Sequence, residues 1–266
     1  MEGDAVENIW EVSIKRLESS TDGFPQSFRV RAKNIVLATG TSDIPNVLGV
    51  PGEDLKFIRH GVSKVSAALH HIDNETRCNP VLVIGAGLSA ADAIITARKN
   101  NCNIVHVFRE TPCGNPAQML KSLPRAIYPE YVMMYELMCG DVTVDWYKPY
   151  PQYAVKAFID KNRVRLESLQ GRSEIIDVSL ALVQIGSNAD LSFMPSQGTN
   201  LGVVPGMKIE VKHNVVDVDP FTSESVIEKG LYAMGPLIGD NFVRFLKGGA
   251  MAITQHIQMK NGVINM

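Results

Sequence analysis

The stretch Pro80-Val81-Leu82-Val83-Ile84-Gly85-Ala86-Gly87-Leu88-Ser89-Ala90-Ala91-Asp92 decides the reading of this chain. Four apolar residues, Val81 to Ile84, run without a break into a glycine turn, and small residues then open a helical pattern over 88–99. A short continuous apolar run bounded by glycine predicts a buried strand. The next run, Ile104 to Phe108, ends at Arg109. Strand, glycine turn, helix and strand at this spacing spell a βαβ unit, whose parallel strands need a right-handed crossover. Gly85 permits the tight turn, Gly87 lets a backbone approach a pyrophosphate, and Ala90 is the small third residue that lets helix and strand pack. Ser89 lies in the first helical turn, where free N–H groups and the helix dipole attract phosphate. The residue at the tip of the second strand selects the nucleotide. Arg109 there suits a 2′-phosphate and so NADPH, while Glu110 beside it blurs that selection. The alternative is a small-residue contact between helix and strand with no ligand.

Outward from this unit, residues 8–18 and 27–37 read as two strands joined by a turn-rich link. The second closes on Ala38-Thr39-Gly40-Thr41, and a loop rich in proline and glycine follows. Residues 62–72 form a helical candidate, and 116–139 read as helix broken by Pro124 and Pro129. Segments 154–158, 163–166 and 175–185 read as strands. The last ends in Gln184-Ile185-Gly186-Ser187-Asn188, an echo of the earlier glycine turn that marks a return point between domains. After a loop at 191–208, strands are expected over 209–218 and 230–234, then a helix from about 249.

The 266 residues carry a net charge of −2, with 45% hydrophobic and 20% charged residues. That balance points to a globular chain and away from nucleic acid or an anionic membrane as partner. No apolar run reaches the roughly 18 residues of a membrane span. The start, MEGDAVENIW, lacks the apolar segment of a signal peptide. Cys78, Cys102, Cys113 and Cys139 show no CxxC spacing. In a chain of this length they read as reduced thiols in a cytoplasmic protein, with no zinc site. Cys113 could be an exposed thiol. The six histidines form no local metal or catalytic set, and His106, mid-strand, reads as a packed, hydrogen-bonded residue. The segment 127–138, IYPEYVMMYELM, is core or a partner-binding face.

The Ala38-Thr39-Gly40 turn and the tail Gly230-Leu231-Tyr232-Ala233-Met234-Gly235-Pro236-Leu237-Ile238-Gly239-Asp240 resemble two-dinucleotide-domain flavoproteins. More closely, KNIVLATG, VLVIGAGLSAADA and KGLYAMGPLIGDNFVRFLKGGAMAI resemble the oxidative stress-induced growth inhibitor family over nearly the whole chain. That resemblance implies an α/β fold in which a Rossmann-like NAD(P)-binding domain, residues 77–190, is inserted in an incomplete FAD-binding domain. The flavin pieces would be residues 1–50 and 191–266, with 51–76 as linker. It implies FAD contacts at Thr39, Gly40, Gly239 and Asp240. It also implies an NADPH- and FAD-dependent, monooxygenase-like protein tied to growth regulation, oxidative stress, meiosis and cytokinesis. An unidentified small-molecule or protein substrate, regulatory protein partners, and nuclear or midbody association beside the cytoplasm belong to the same implication.

Two departures weigh against simple catalysis. Gly85-Ala86-Gly87 is the only GxG, whereas the family carries a second, flavin fingerprint upstream. The chain therefore reads as the carboxy-terminal part of such a protein, unable to hold FAD tightly alone. The flavin monooxygenase segment F-x-G-x-x-x-H corresponds to Phe57 through Ser63, with Arg59 for the glycine and Ser63 for the histidine. No catalytic acid or base is identifiable. A non-catalytic growth or meiosis regulator that uses the fold as an interaction scaffold is the alternative.

Overall fold

The computed structural model describes residues 9–16, 26–61, 65–211 and 213–263. The chain opens with β1 (Trp10–Lys15) and β2 (Ser27–Ala32), an antiparallel pair with Trp10 opposite Ala32 and Lys15 opposite Ser27. Most of the turn expected between them lies outside the described residues. The strand expected over 27–37 is two strands, because the chain leaves the hairpin at Lys33–Asn34 and enters a second sheet as β3 (Ile35–Leu37). A short β4 (Ile44–Pro45) precedes the proline- and glycine-rich loop.

The central part is a layered α/β unit. Its elements run β5 (Ile58–His60), α1 (Val65–His70), β6 (Val81–Ile84), α2 (Leu88–Lys99), β7 (Ile104–Phe108), α3 (Asn115–Lys121), α4 (Pro129–Cys139) and β8 (Tyr147–Pro151). They continue as β9 (Tyr153–Ile159), β10 (Arg163–Ser168), β11 (Ser173–Asp177), β12 (Leu180–Val183) and β13 (Ser187–Asn188). Five strands form one parallel sheet in the order β5-β12-β6-β7-β8. Strands β11-β10-β9 form an antiparallel sheet.

Two apolar cores flank the parallel sheet, which explains why β6, β7 and β12 are buried residue after residue. On one face Val81, Val83, Ile104 and Leu182 pack with Ala90, Ile94 and Ala97 of α2 and with Leu137 of α4. On the other, Leu82, Ile84, Val105 and Val107 meet Val155, Phe158, Val164 and Leu166 of the antiparallel sheet. Each fully buried aliphatic side chain contributes about 1.5–3 kcal/mol of transfer free energy. Five of the α4 residues, Val132, Met134, Tyr135, Leu137 and Met138, are buried, so the 127–138 segment is chiefly core.

Two local expectations need correction, and one strand, β8, was not expected. Pro129 begins α4 instead of breaking a helix, since the first helical position has no N–H to satisfy. Strand β8 contains Pro149 and Pro151, and it forms because it is the sheet's edge, where prolines are tolerated. The single strand expected over 175–185 is β11 and β12, separated at Val178–Ser179 where the chain changes sheet.

After β13 comes a short 3-10 turn at Pro195–Gly198. The strand expected over 209–218 is a turn stitched by isolated bridges, Gly202 to Val216 and Glu210 to Asn214. Asn214 takes over the role of a ladder: its amide nitrogen donates to the carbonyls of Val204, Met207 and Lys208 at 3.0–3.2 Å. Strand β14 (Leu231–Ala233) pairs in parallel with β3, and a 3-10 turn at Gly235–Ile238 leads to α5 (Val243–Lys260). That helix starts six residues before the expected position. Leu37, Leu231, Ala233 and Leu237 share a third core with Leu191, Leu201 and Val216. The chain divides into two compact units, Pro45–Ser187 and the pair Met1–Ile44 with Asn188–Met266. Among the described residues no helix is long and apolar enough to cross a membrane.

Candidate functional site

Gly85, Ala86 and Gly87 connect β6 to α2 at the carboxyl end of the parallel sheet. Gly85 has φ +124°, and a Cβ there would stand 2.2 Å from the Gln184 carbonyl oxygen that follows β12. The fold itself therefore demands glycine at this position. Gly87 differs. Its φ is −90°, and a Cβ built on it would meet nothing within 4 Å. Among the described residues no contact requires that glycine, and its bare backbone faces open space. Ala90 is fully buried against the sheet, and Ser89 is half-buried in the first turn of α2.

The hydrogen bonds sharpen this picture. The Gly85 N–H donates to the Val107 carbonyl at 3.0 Å, and the Ala90 and Ala91 amides both donate to the Gly87 carbonyl at 3.1 Å. Among the described residues the amides of Ala86, Gly87, Leu88 and Ser89 have no protein acceptor, and Gly87 offers no capping side chain. Unpaired amides at a helix start, with the positive end of its dipole, make a receptor for an anion. Because β6 and β7 are adjacent, with Ile84 opposite Val107, Arg109 emerges at the same sheet edge. Its side chain is exposed and makes no hydrogen bond or ion pair among the described residues. The structure thus brings Gly85, Gly87, Ser89, Ala90 and Arg109 to one edge.

His106 supplies a contact that the sequence pattern did not reveal. It is 1% exposed, and its Nε2 lies 2.5 Å from the Gly85 carbonyl oxygen while Nδ1 lies 2.7 Å from the Tyr147 hydroxyl. Burial pushes its pKa down to about 4, against the bond to Gly85, which favours protonation. Burial also pushes the Tyr147 hydroxyl upward. Two side chains 41 residues apart meet here only because β8 joins β7 in the sheet.

In the other unit, the β3–β14 pair brings its own carboxyl ends together: Leu37 stands opposite Ala233, and the Met234 N–H donates to the Leu37 carbonyl at 3.1 Å. Thr39 and Gly40 follow one strand, and Gly239 and Asp240 the turn after the other. Gly40 and Gly239 have positive φ, +74° and +92°. The Asp240 N–H caps the 3-10 turn by donating to the Gly235 carbonyl at 3.1 Å, and its carboxylate has no partner among the described residues.

Residues 57–60 serve local structure. Arg59 Nη1 donates to the carbonyls of Lys56 and Ile58, and His60 Nε2 pairs with Glu53 at 2.8 Å. Glu53 also accepts the Leu48 and Gly49 amides at 2.7 Å, and these bonds with that of His60 hold its carboxyl below the usual range although burial would raise it. Ser63 lies outside the described residues. The cysteine expectation needs correction: Cys113 and Cys139, with Cα atoms 5.1 Å apart, are paired as a disulfide, which ties the loop after Arg109 to the end of α4. Their 26-residue separation carries no spacing signature, so only the packing of α3 and α4 could reveal the pair. Cys78 and Cys102 are free, and burial pushes the Cys102 thiol up. Among the described residues no three His, Cys, Asp or Glu side chains gather as a metal site.

Residues 14–235 match the family described as pyridine nucleotide-disulphide oxidoreductase. Oxidative stress-induced growth inhibitor 1 of Mus musculus is 41% identical over 240 residues, which is 88% of this chain and 50% of the relative. Oxidative stress-induced growth inhibitor 2 of Homo sapiens is 39% identical over 256 residues, covering 94% of this chain and 50% of the relative. This chain spans about half the length of the curated relatives it matches. Among solved structures, the bacillithiol disulfide reductase Bdr (YpdA) of Bacillus cereus superposes with a TM-score of 0.62 at 21% identity, covering 88% of this chain and 64% of that one. At that identity the likeness establishes the Rossmann-like dinucleotide-binding fold.

Two outcomes test this geometry. Gly85→Ala should lower unfolding free energy by about 3 kcal/mol or more through strain and collision with Gln184, whereas Gly87→Ala should cost about 1 kcal/mol or less. Urea unfolding of both variants separates the fold's glycine from the other. Between its ordinary 6.5 and about 4, His106 binds a proton only when unfolded. Its contribution is therefore complete above the ordinary value and declines as pH falls toward the folded one, at up to about 1.4 kcal/mol per pH unit. His106→Gln should flatten that part of the stability profile measured between those two pH values.

Proposed function

This chain belongs to the pyridine nucleotide-disulphide oxidoreductase family, and we propose that its Pro45–Ser187 unit binds NADPH at the carboxyl ends of β6 and β7. The observation that carries this reading is the set of four unpartnered amides from Ala86 to Ser89, beside a Gly87 that no protein contact requires. A pyrophosphate would take those amides as donors, with Gly87 allowing close approach and Ala90 packing beneath. Arg109 would meet the 2′-phosphate and give NADPH preference over NADH. The bound nucleotide would supply a hydride, while this chain's part is to hold the phosphates and orient the donor.

Flavin binding is proposed for the whole protein. Gly40 and Gly239 would keep side chains clear of the flavin chain, and the unpartnered Asp240 carboxylate would accept a hydrogen bond from a ribityl hydroxyl. Likeness to proteins named oxidative stress-induced growth inhibitors supports an oxidoreductase of that type, monooxygenase-like, acting in growth regulation under oxidative stress, in meiosis and in cytokinesis. A cytoplasmic location, and nuclear or midbody association, are part of the same proposal. A second reading, a non-catalytic regulator that engages protein partners through this fold, is favoured by the 57–60 segment, whose polar side chains are taken up by Lys56, Ile58 and Glu53.

Calorimetry on the purified chain tests the nucleotide site. NADPH should bind in the micromolar range, NADH about tenfold more weakly, and Arg109→Ala should erase that difference, equivalent to about 1.4 kcal/mol. Equal affinity for both nucleotides would overturn the role of Arg109. A folded chain that binds neither would remove the site and leave the regulator.

A further inference from the structure

We infer that His106 is a positioning residue for nucleotide binding: it holds the Gly85 carbonyl and thereby fixes the peptide that opens the phosphate-facing turn. This inference rests on the NADPH reading above and adds to it a residue outside the glycine fingerprint. A carbonyl oxygen only accepts, so the proton on His106 must sit on Nε2, which donates to Gly85 at 2.5 Å. The buried ring is neutral, leaving Nδ1 to accept from the Tyr147 hydroxyl at 2.7 Å. Both ring nitrogens are thus committed, and a flip or change of tautomer would strand buried polar groups. Phe108 packs on the ring with centroids 4.9 Å apart, which restrains it further.

The consequence for the turn follows from peptide geometry. The Gly85–Ala86 peptide is planar and trans, so its C=O and N–H point in opposite directions. Drawing the oxygen toward His106 sends the Ala86 N–H away from β7, and that amide is the first of the four without a protein acceptor. The Val107 carbonyl holds the Gly85 N–H at 3.0 Å, so one strand grips both polar groups of the glycine. Every other residue of β7 (Ile104, Val105, Val107, Phe108) is apolar and buried. An apolar side chain would complete that core at lower desolvation cost. The imidazole therefore stands out as the one polar side chain in the strand, and what it adds is the orientation of the turn.

The test uses the full chain with NADPH and NADH as probes. His106→Met should weaken both nucleotides alike, by about tenfold, leaving their ratio unchanged, because it disturbs the shared phosphate turn. His106→Gln, whose amide can replace the Nε2 donor, should stay within about threefold of the parent. Tyr147→Phe keeps the packing and removes only the hydroxyl that sets the tautomer, so it guards against a His106 variant that fails to fold. It should weaken both nucleotides by about threefold. Nitrogen-15 NMR of the parent imidazole should report a neutral ring protonated at Nε2, and protonation at Nδ1 overturns the inference without any variant. Parent-like affinity in folded His106→Met also overturns it while sparing the nucleotide site. A folded parent that binds neither nucleotide overturns both readings together.

Discussion

The meeting of three strand ends at Gly85 is the constraint on which the central unit depends. The carboxyl ends of β12 and β7 lie on either side of it. On the β12 side the Gln184 carbonyl oxygen occupies the place of a Cβ, and on the β7 side Val107 accepts the Gly85 N–H. Only a glycine at φ +124° lets the chain turn there from the sheet into α2. Once it does, α2 lies with Ala90, Ile94 and Ala97 against the sheet, and its amino terminus is left at the strand ends with unpartnered amides. The tight packing and the open receptor are two results of one turn.

The polar groups of this unit divide by what satisfies them. Gln184 Nε2 donates to the Gly61 carbonyl at 2.9 Å, Glu53 gathers amides of its own loop, and His106 spans Gly85 and Tyr147. Those groups are consumed by the fold. The Ala86–Ser89 amides and the Arg109 guanidinium are not, and they converge at one sheet edge. A similar division holds in the other unit, where buried Glu224 takes the Gly230 N–H at 2.9 Å and Lys260 Nζ at 2.8 Å, while the Asp240 carboxylate has no partner among the described residues. Bonds from Lys260 and Gly230 keep the Glu224 carboxyl below its ordinary range against the opposing effect of burial.

Local signals carried much of this arrangement, and long-range pairings account for what was missed. The run Val81–Ile84, the glycine turn and the run ending at Arg109 announce their strands because β6 and β7 are buried on both faces and admit only apolar residues, His106 excepted. Strand β8 gave no such signal, since an edge strand with two prolines looks like loop until its neighbour is known. The breaks at Lys33–Asn34 and Val178–Ser179 were hidden because apolar, strand-forming residues resume within two positions while the chain changes sheet. The 209–218 segment alternates like a strand, yet it folds back on itself at the Glu210–Asn214 bridge, and the Asn214 side chain satisfies the carbonyls of Val204, Met207 and Lys208 in the loop before it. The His106–Tyr147 contact and the Cys113–Cys139 pair depend on residues 41 and 26 positions apart, and no spacing rule announces either.

The most direct measurement is a nitrogen-15 amide titration of the folded chain with NADPH. The account predicts saturable shifts concentrated at Ala86, Gly87, Leu88 and Ser89, with a further response at Arg109 that NADH does not reproduce. Saturable binding whose shifts lie elsewhere, with those four amides unmoved, would contradict it.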